Sequence, residues 1–258
     1  MGNSGFDATP LLGVFLATAL VGLLAAEIGF RLGIFAARRS EEERKANIDA
    51  MVGSTLGLLA FVLAFTFGMA TSRHDTRTQL VLDDVIAIRT VDLRAQLLPE
   101  PYRGEIRALL REYVDVRLKG VLDPGELPRA LARSEELQDQ LLSRAVALGR
   151  EIPALAPAYT QATIQMIDLH SKRVTAAVTN RIPVPIWVAL YCLLVLGMGL
   201  AGYHAGIAGR RSFVAMITVV LMFAAVISLI ADLDRPQEGL FRVSQQAMLE
   251  LQTRLRRQ

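Results

Sequence analysis

Long apolar blocks alternate with charge-rich stretches along the chain. Four windows, about Pro10–Ala37, Met51–Thr71, Val184–Ala201 and Phe213–Ala231, are apolar enough to cross a membrane as helices. A helix needs ~20 residues to span the ~30 Å hydrocarbon core. A polar segment of roughly 110 residues separates the second window from the third. The pattern predicts an all-α integral membrane protein. Transmembrane helices 1 and 2 with a short basic loop occupy 1–72, and an extramembrane helical bundle domain occupies 73–182. Transmembrane helices 3 and 4 fill 183–231, and an amphipathic C-terminal helix fills 232–258.

Within the polar segment the periodicity is helical throughout. No Gly or Pro occurs between Met69 and Leu98, so the second span is expected to leave the membrane as one continuous helix. From Met51 to Leu98 it would reach roughly 70 Å at 1.5 Å per residue. "LPEP" at Leu98–Pro101 stops it, because proline restricts the preceding residue and lacks the helix-interior donor. A second helix, about Tyr102–Lys119, carries Ile106, Leu109, Leu110 and Tyr113 on one face. After the turn "DPGELP" a third runs to about Gly149. A fourth, about Ala158–Arg181, returns to the membrane at Pro183 and Pro185. In the tail, Phe241, Ser244, Met248, Leu251 and Leu255 alternate three and four apart. That spacing predicts an amphipathic helix, packed on the bundle or a neighbouring subunit, or lying on the membrane surface.

Composition narrows the function classes. Apolar residues make up 52% of the 258, beyond an ordinary soluble domain. The net charge of +3 is spread among acids with no basic stripe, so no nucleic-acid partner is expected. Arginine far outnumbers lysine, which fits a bacterial protein. Met1–Thr9 holds no Lys or Arg, and the first apolar run is too long for a signal peptide, so an uncleaved span is expected. The single cysteine, Cys192, lies inside the third span and rules out an intrachain disulfide. The first short connection carries Arg38, Arg39, Arg44 and Lys45, and the third, on the same side, carries Arg210 and Arg211. By the positive-inside rule these loops face the cytoplasm of a bacterial inner membrane. The N-terminus, central domain and C-terminus would then be periplasmic, although five tail arginines pull the other way.

Candidate chemistry is sparse. His74, His170 and His204 have no partners at metal-ligand spacing, and no phosphate loop or nucleophile elbow occurs. No catalytic residue, metal or cofactor is expected. "GMGLAGYHAGIAG" follows a membrane helix, so Gly202-x-x-x-Gly206 reads as close helix packing. Glu27 and Arg31, four apart in the first span, form either a structural pair or an intramembrane functional one. Asp83 and Asp84 could pair on a cation, but adjacent carboxylates on a helix point different ways, so they read as facing solvent or as inter-helix salt-bridging groups.

The second span is more informative. At 100° per residue, Ser54, Gly57, Phe65, Gly68 and Ser72 all fall within about 40° of Phe61. Beside this stripe run Gly53, Gly57, Ala60, Ala64 and Gly68, a small-residue flank that lets helices approach closely. Phe67 points elsewhere. A ring of such helices would enclose a narrow apolar neck, gated by dewetting. The positive edges of the rings and the serines at either mouth would favour an anion. Arg73 and Arg77 would add positive charge at the outer mouth. A membrane-anchored sensor or scaffold, whose external domain binds a ligand or partner protein, is the alternative reading.

"FVLAF" (Phe61–Phe65), followed by Thr66 and later Arg73, resembles the neck helix of bestrophins. "LVLDDVIAIRTVDLRAQLLPEPYRGEIRALLREYVDVRL" is similar to the bacterial bestrophin-like domain family. The pattern rests on Leu98, Pro99, Pro101, Arg103, Arg107, Leu110, Tyr113, Val114 and Arg117. The resemblance implies a homo-oligomeric channel for inorganic anions, pentameric in bestrophins, embedded in membrane lipid. Phe61 and Phe65 would match two neck aromatics, while the third neck position falls on Gly57. The acidic calcium clasp of the animal channels has no counterpart here. Bestrophins keep their large domain in the cytosol, opposite to what the loop charges indicate here.

Overall fold

A computed structural model describes residues 10–37, 43–178, 181–209, 212–235, 241 and 243–257. Eight α-helices and no strand occur among the described residues. They are α1 (Leu11–Ala37), α2 (Glu43–Ala95), α3 (Tyr102–Leu122), α4 (Leu127–Glu151), α5 (Ala156–Val178), α6 (Val184–Ile207), α7 (Phe213–Asp234) and α8 (Gln246–Arg257). The helix through the second span is unbroken over 53 residues, as the absence of Gly and Pro beyond Met69 required. Four helices, α1, α2, α6 and α7, are long and apolar enough to cross a membrane. The basic loop residues Arg38, Arg39, Arg210 and Arg211, and the segment Met1–Thr9, lie outside the described residues.

The chain divides into two compact units, with boundaries at Arg73/His74, Asn180/Arg181 and Phe241/Arg242. The first holds α1, α2 up to Arg73, α6 and α7. Its core is built from Leu59 and Leu63 of α2, Leu190, Leu194 and Met198 of α6, and Val220, Ala224 and Ile227 of α7. Phe67 packs against this core, so it faces another helix. Pro183 starts α6, and the backbone amide of Ile182 donates to the Asp234 carboxylate at 2.9 Å, tying the start of α6 to the end of α7.

α1 and α6 meet backbone to backbone. A Cβ on Gly29 would collide with the carbonyl of Gly199, one on Gly202 with that of Ala26, and one on Gly206 with that of Phe30. The expected role of Gly202-x-x-x-Gly206 is thus met, and Gly29-x-x-x-Gly33 is its partner. Without a hydrophobic gain between helices in lipid, such close approach supplies the attraction through dispersion. Further along, Thr18 and Tyr191 share a hydrogen bond of 2.9 Å between the same two helices.

The second unit is a helical bundle of α2 from His74 onward, α3, α4 and α5, with α8 laid on α3. Ile88, Val91, Ile106, Leu110, Tyr113, Leu137, Leu141, Leu148 and Met166 are wholly buried in it or nearly so. Met248, Leu251 and Leu255 bury the apolar face of α8. Arg111 Nε donates to the carbonyl of Leu255, satisfying an otherwise open C-terminal acceptor, and Asp115 accepts from Gln252 and Arg256. The tail helix therefore docks on the bundle. It starts at Gln246, so Phe241 and Ser244 precede it. The Ser244 hydroxyl instead accepts from the Gln246 amide, diverting the backbone before the first turn.

Candidate functional site

Two faces of α2 have opposite fates in the first unit. Leu59, Leu63, Thr66 and Ala70 are buried, and the Thr66 hydroxyl returns to the Val62 carbonyl. On the other side Ser54, Gly57, Phe61, Phe65, Gly68 and Ser72 are exposed, every one. Phe61 and Phe65 keep 69% and 67% of their surface accessible. A Cβ on Gly53, Gly57 or Gly68 would meet nothing within 4 Å. Ala60 and Ala64 of the small-residue flank are exposed as well. Ser54 is satisfied within the helix, donating to the Ala50 carbonyl at 2.7 Å. The unit thus spends the bulky aliphatic residues of α2 on its own core and leaves the aromatic and glycine stripe uncovered.

The expected mouth charges do not share that face. Arg73 lies about 120° and Arg77 about 160° around the helix from Phe61. Arg77 is buried, with Nε donating to the carbonyl of Ala176 near the end of α5. Arg73 is half-buried, and its Nη1 is shut off from solvent. Arg77 is a structural group of the second unit rather than a charge at the end of the stripe. Distance along the helix puts both arginines beyond the stripe, but their angle around it puts them on another face.

Glu27 and Arg31 form an intrahelical ion pair, Oε1 to Nε at 2.9 Å, with the arginine largely exposed. Asp83 accepts from Gln79 within α2, whereas Asp84 is wholly buried and joins three helices. Its Oδ2 accepts from Arg117 of α3 at 2.8 Å and from Arg173 of α5 at 2.7 Å. Arg117 also donates to the Tyr113 hydroxyl at 2.9 Å, and Gln138 of α4 donates to the same oxygen at 3.1 Å. His170 Nδ1 contacts both the Tyr113 hydroxyl and Arg117. Burial pushes the Tyr113 hydroxyl above its ordinary range, and burial followed by the neighbouring Arg117 charge lowers Arg173. The cluster cross-braces the bundle. Of the two readings open to Asp84, solvent or an inter-helix bridge, the structure shows the bridge; His170 and Arg173 carry no sequence signal because their partners lie tens of residues away.

No group of three or more metal-binding side chains gathers among the described residues. His204 pairs with Asp49 at 2.8 Å, linking α6 to the start of α2.

Four apolar spans, joined in one chain to a second helical unit, define a multi-pass helical membrane protein. The sequence model of the Bestrophin-like domain matches residues 13–248, nearly the whole chain. The chain belongs to the bestrophin-like domain family. It is also similar in fold to a crystal structure of a membrane protein, 17% identical, with a TM-score of 0.63 over 95% of this chain and 97% of that one. No curated protein matches.

Proposed function

We propose that the protein is a homo-oligomeric, anion-conducting channel in which α2 lines a hydrophobic neck. The observation that carries this reading is the exposure of the whole Ser54–Ser72 stripe while the opposite face of α2 is buried. Two phenylalanines with open glycines beside them suit a narrow ring of identical helices. Family membership supports the same reading, and the pentamer of bestrophins is the assembly it favours. Gly57 leaves the neck wider at that turn than a bulky side chain would. Arg77 has no part in attracting the ion.

Chloride efflux from proteoliposomes tests the proposal. The wild type should conduct slowly and Phe61→Ala with Phe65→Ala several-fold faster, because smaller side chains favour wetting of the neck. Silence from both proteins would overturn it.

The short basic loops support an orientation in which the central domain is periplasmic, in a bacterial inner membrane. In a Cys192→Ala background, Glu135→Cys on the exposed side of α4 should react with an impermeant maleimide added to whole cells. Reaction only after lysis would reverse the orientation.

A further inference from the structure

The first unit contains a groove of about 530 Å³ between α1, α6 and α7. That is within the ~300–1,000 Å³ of ordinary ligand sites. Its walls include Leu20, Leu24 and Glu27 of α1, Ala201 of α6, and Phe213 and Met216 of α7. All but Glu27 are apolar. On α1, positions 20, 24, 27 and 31 follow one helix face, so Arg31 continues the line of the groove beyond Glu27.

The groove is polar at one end only. Glu27 and Arg31 stand toward the C-terminal end of α1, and Ser212, which caps α7 through the Ala215 amide, lines the same end. This is the end at which α1 finishes at Ala37 and α7 begins at Phe213. From Leu20 to Arg31 is roughly 16 Å of helix, about half the hydrocarbon thickness. The dimensions match one leaflet. Glu27 holds only Nε of Arg31, and the guanidinium's Nη groups make no hydrogen bond among the described residues. With a side chain 78% exposed, Arg31 can reach the headgroup level, as long basic side chains do near helix ends.

We propose that this groove is a phospholipid site for the leaflet on the short-loop side. One acyl chain lies against Leu20, Leu24 and Ala201, and the phosphate meets Arg31, oriented by Glu27. The exposed guanidinium of Arg31 favours an anionic headgroup. A second copy of the chain is the competing occupant. Leu56, the α2 residue lining the groove, lies about 140° around the helix from Phe61. If the stripe faces other copies, the groove faces away from them; this clause alone rests on the channel reading.

Native mass spectrometry of the full chain, purified in mild detergent with equal phosphatidylglycerol and diacylglycerol, tests the site. The wild type should retain about one phosphatidylglycerol per chain in preference to diacylglycerol. Arg31→Gln should lower that preference about fivefold, the worth of one basic residue at a headgroup, and Arg31→Lys should largely restore it. Ala215→Phe, an exposed position on the groove wall, should reduce retention of both lipids without changing the oligomeric mass. Three results would overturn the proposal: no retained lipid, an unchanged preference in Arg31→Gln, or loss of assembly with undiminished lipid in Ala215→Phe. The last would assign the groove to a second copy. Failure of the efflux experiment leaves this measurement standing, so the two readings fall separately.

Discussion

Asp84→Ala should unfold the second unit under conditions where the wild type is intact. The carboxylate is wholly buried, and it is the group that both Arg117 and Arg173 use as counter-charge. Removing it leaves two desolvated guanidinium groups facing each other, with no relief by deprotonation since arginine holds its proton. Breaking a buried pair from one side costs about 3–5 kcal/mol, against a typical domain stability of about 5–15 kcal/mol. Arg173 also donates to Gln245 at 2.9 Å, so its loss of position loosens the chain leading into α8. Asp84→Asn keeps the shape but not the charge and should fall between. Adding Arg117→Met to Asp84→Ala should recover part of the loss, because one uncompensated cation goes with it. Thermal and urea unfolding of the detergent-solubilised chain would measure this. An Asp84→Ala protein within about 1 kcal/mol of wild type would mean that water reaches the cluster and screens it.

How far the sequence anticipated the molecule depends on the range of the interactions involved. Spans and helices follow from local signals, namely apolar length, proline position and 3.6-residue periodicity, so α2 is continuous past the membrane and stops at "LPEP". The stripe on α2 was legible because angular position on a helix is itself a local property. The angle of Arg77, about 160° from Phe61, is equally local, whereas its partner, the Ala176 carbonyl, is 99 residues away and has no local signal. The tail helix was begun too early because Phe241 and Ser244 continue its period without being helical. Gly202 and Gly206 read as packing residues from their spacing, whereas nothing in the sequence pairs them with Gly29 and Gly33. A small-residue motif tells that a helix approaches another closely, and says nothing of which one.

Gly202→Ala should break the α1–α6 contact, while Gly199→Ala, one turn away on the same helix, should be nearly silent. The new methyl at 202 would lie closer than 3.0 Å to the Ala26 carbonyl, and backbone cannot rotate aside as a side chain can. At 199 the nearest atom, the Ala25 carbonyl oxygen, is 3.7 Å away, an ordinary contact. Overpacking costs about 1–3 kcal/mol, and a collision with main chain belongs at the upper end. In lipid no hydrophobic term rewards a slightly separated pair, so the helices should part rather than adjust. Gly202→Ala should therefore lower the yield of monodisperse protein and its unfolding temperature, and Gly29→Ala should do the same. Gly57→Ala and Gly68→Ala provide the contrast, since their methyls enter open space in the single chain. If they leave the unfolding temperature of the isolated chain unchanged but shift the oligomer's mass distribution, the uncovered face of α2 meets other copies. If all four substitutions behave alike, the distinction between a glycine buried by its own chain and one kept open for assembly is lost, and the channel reading loses its carrying observation.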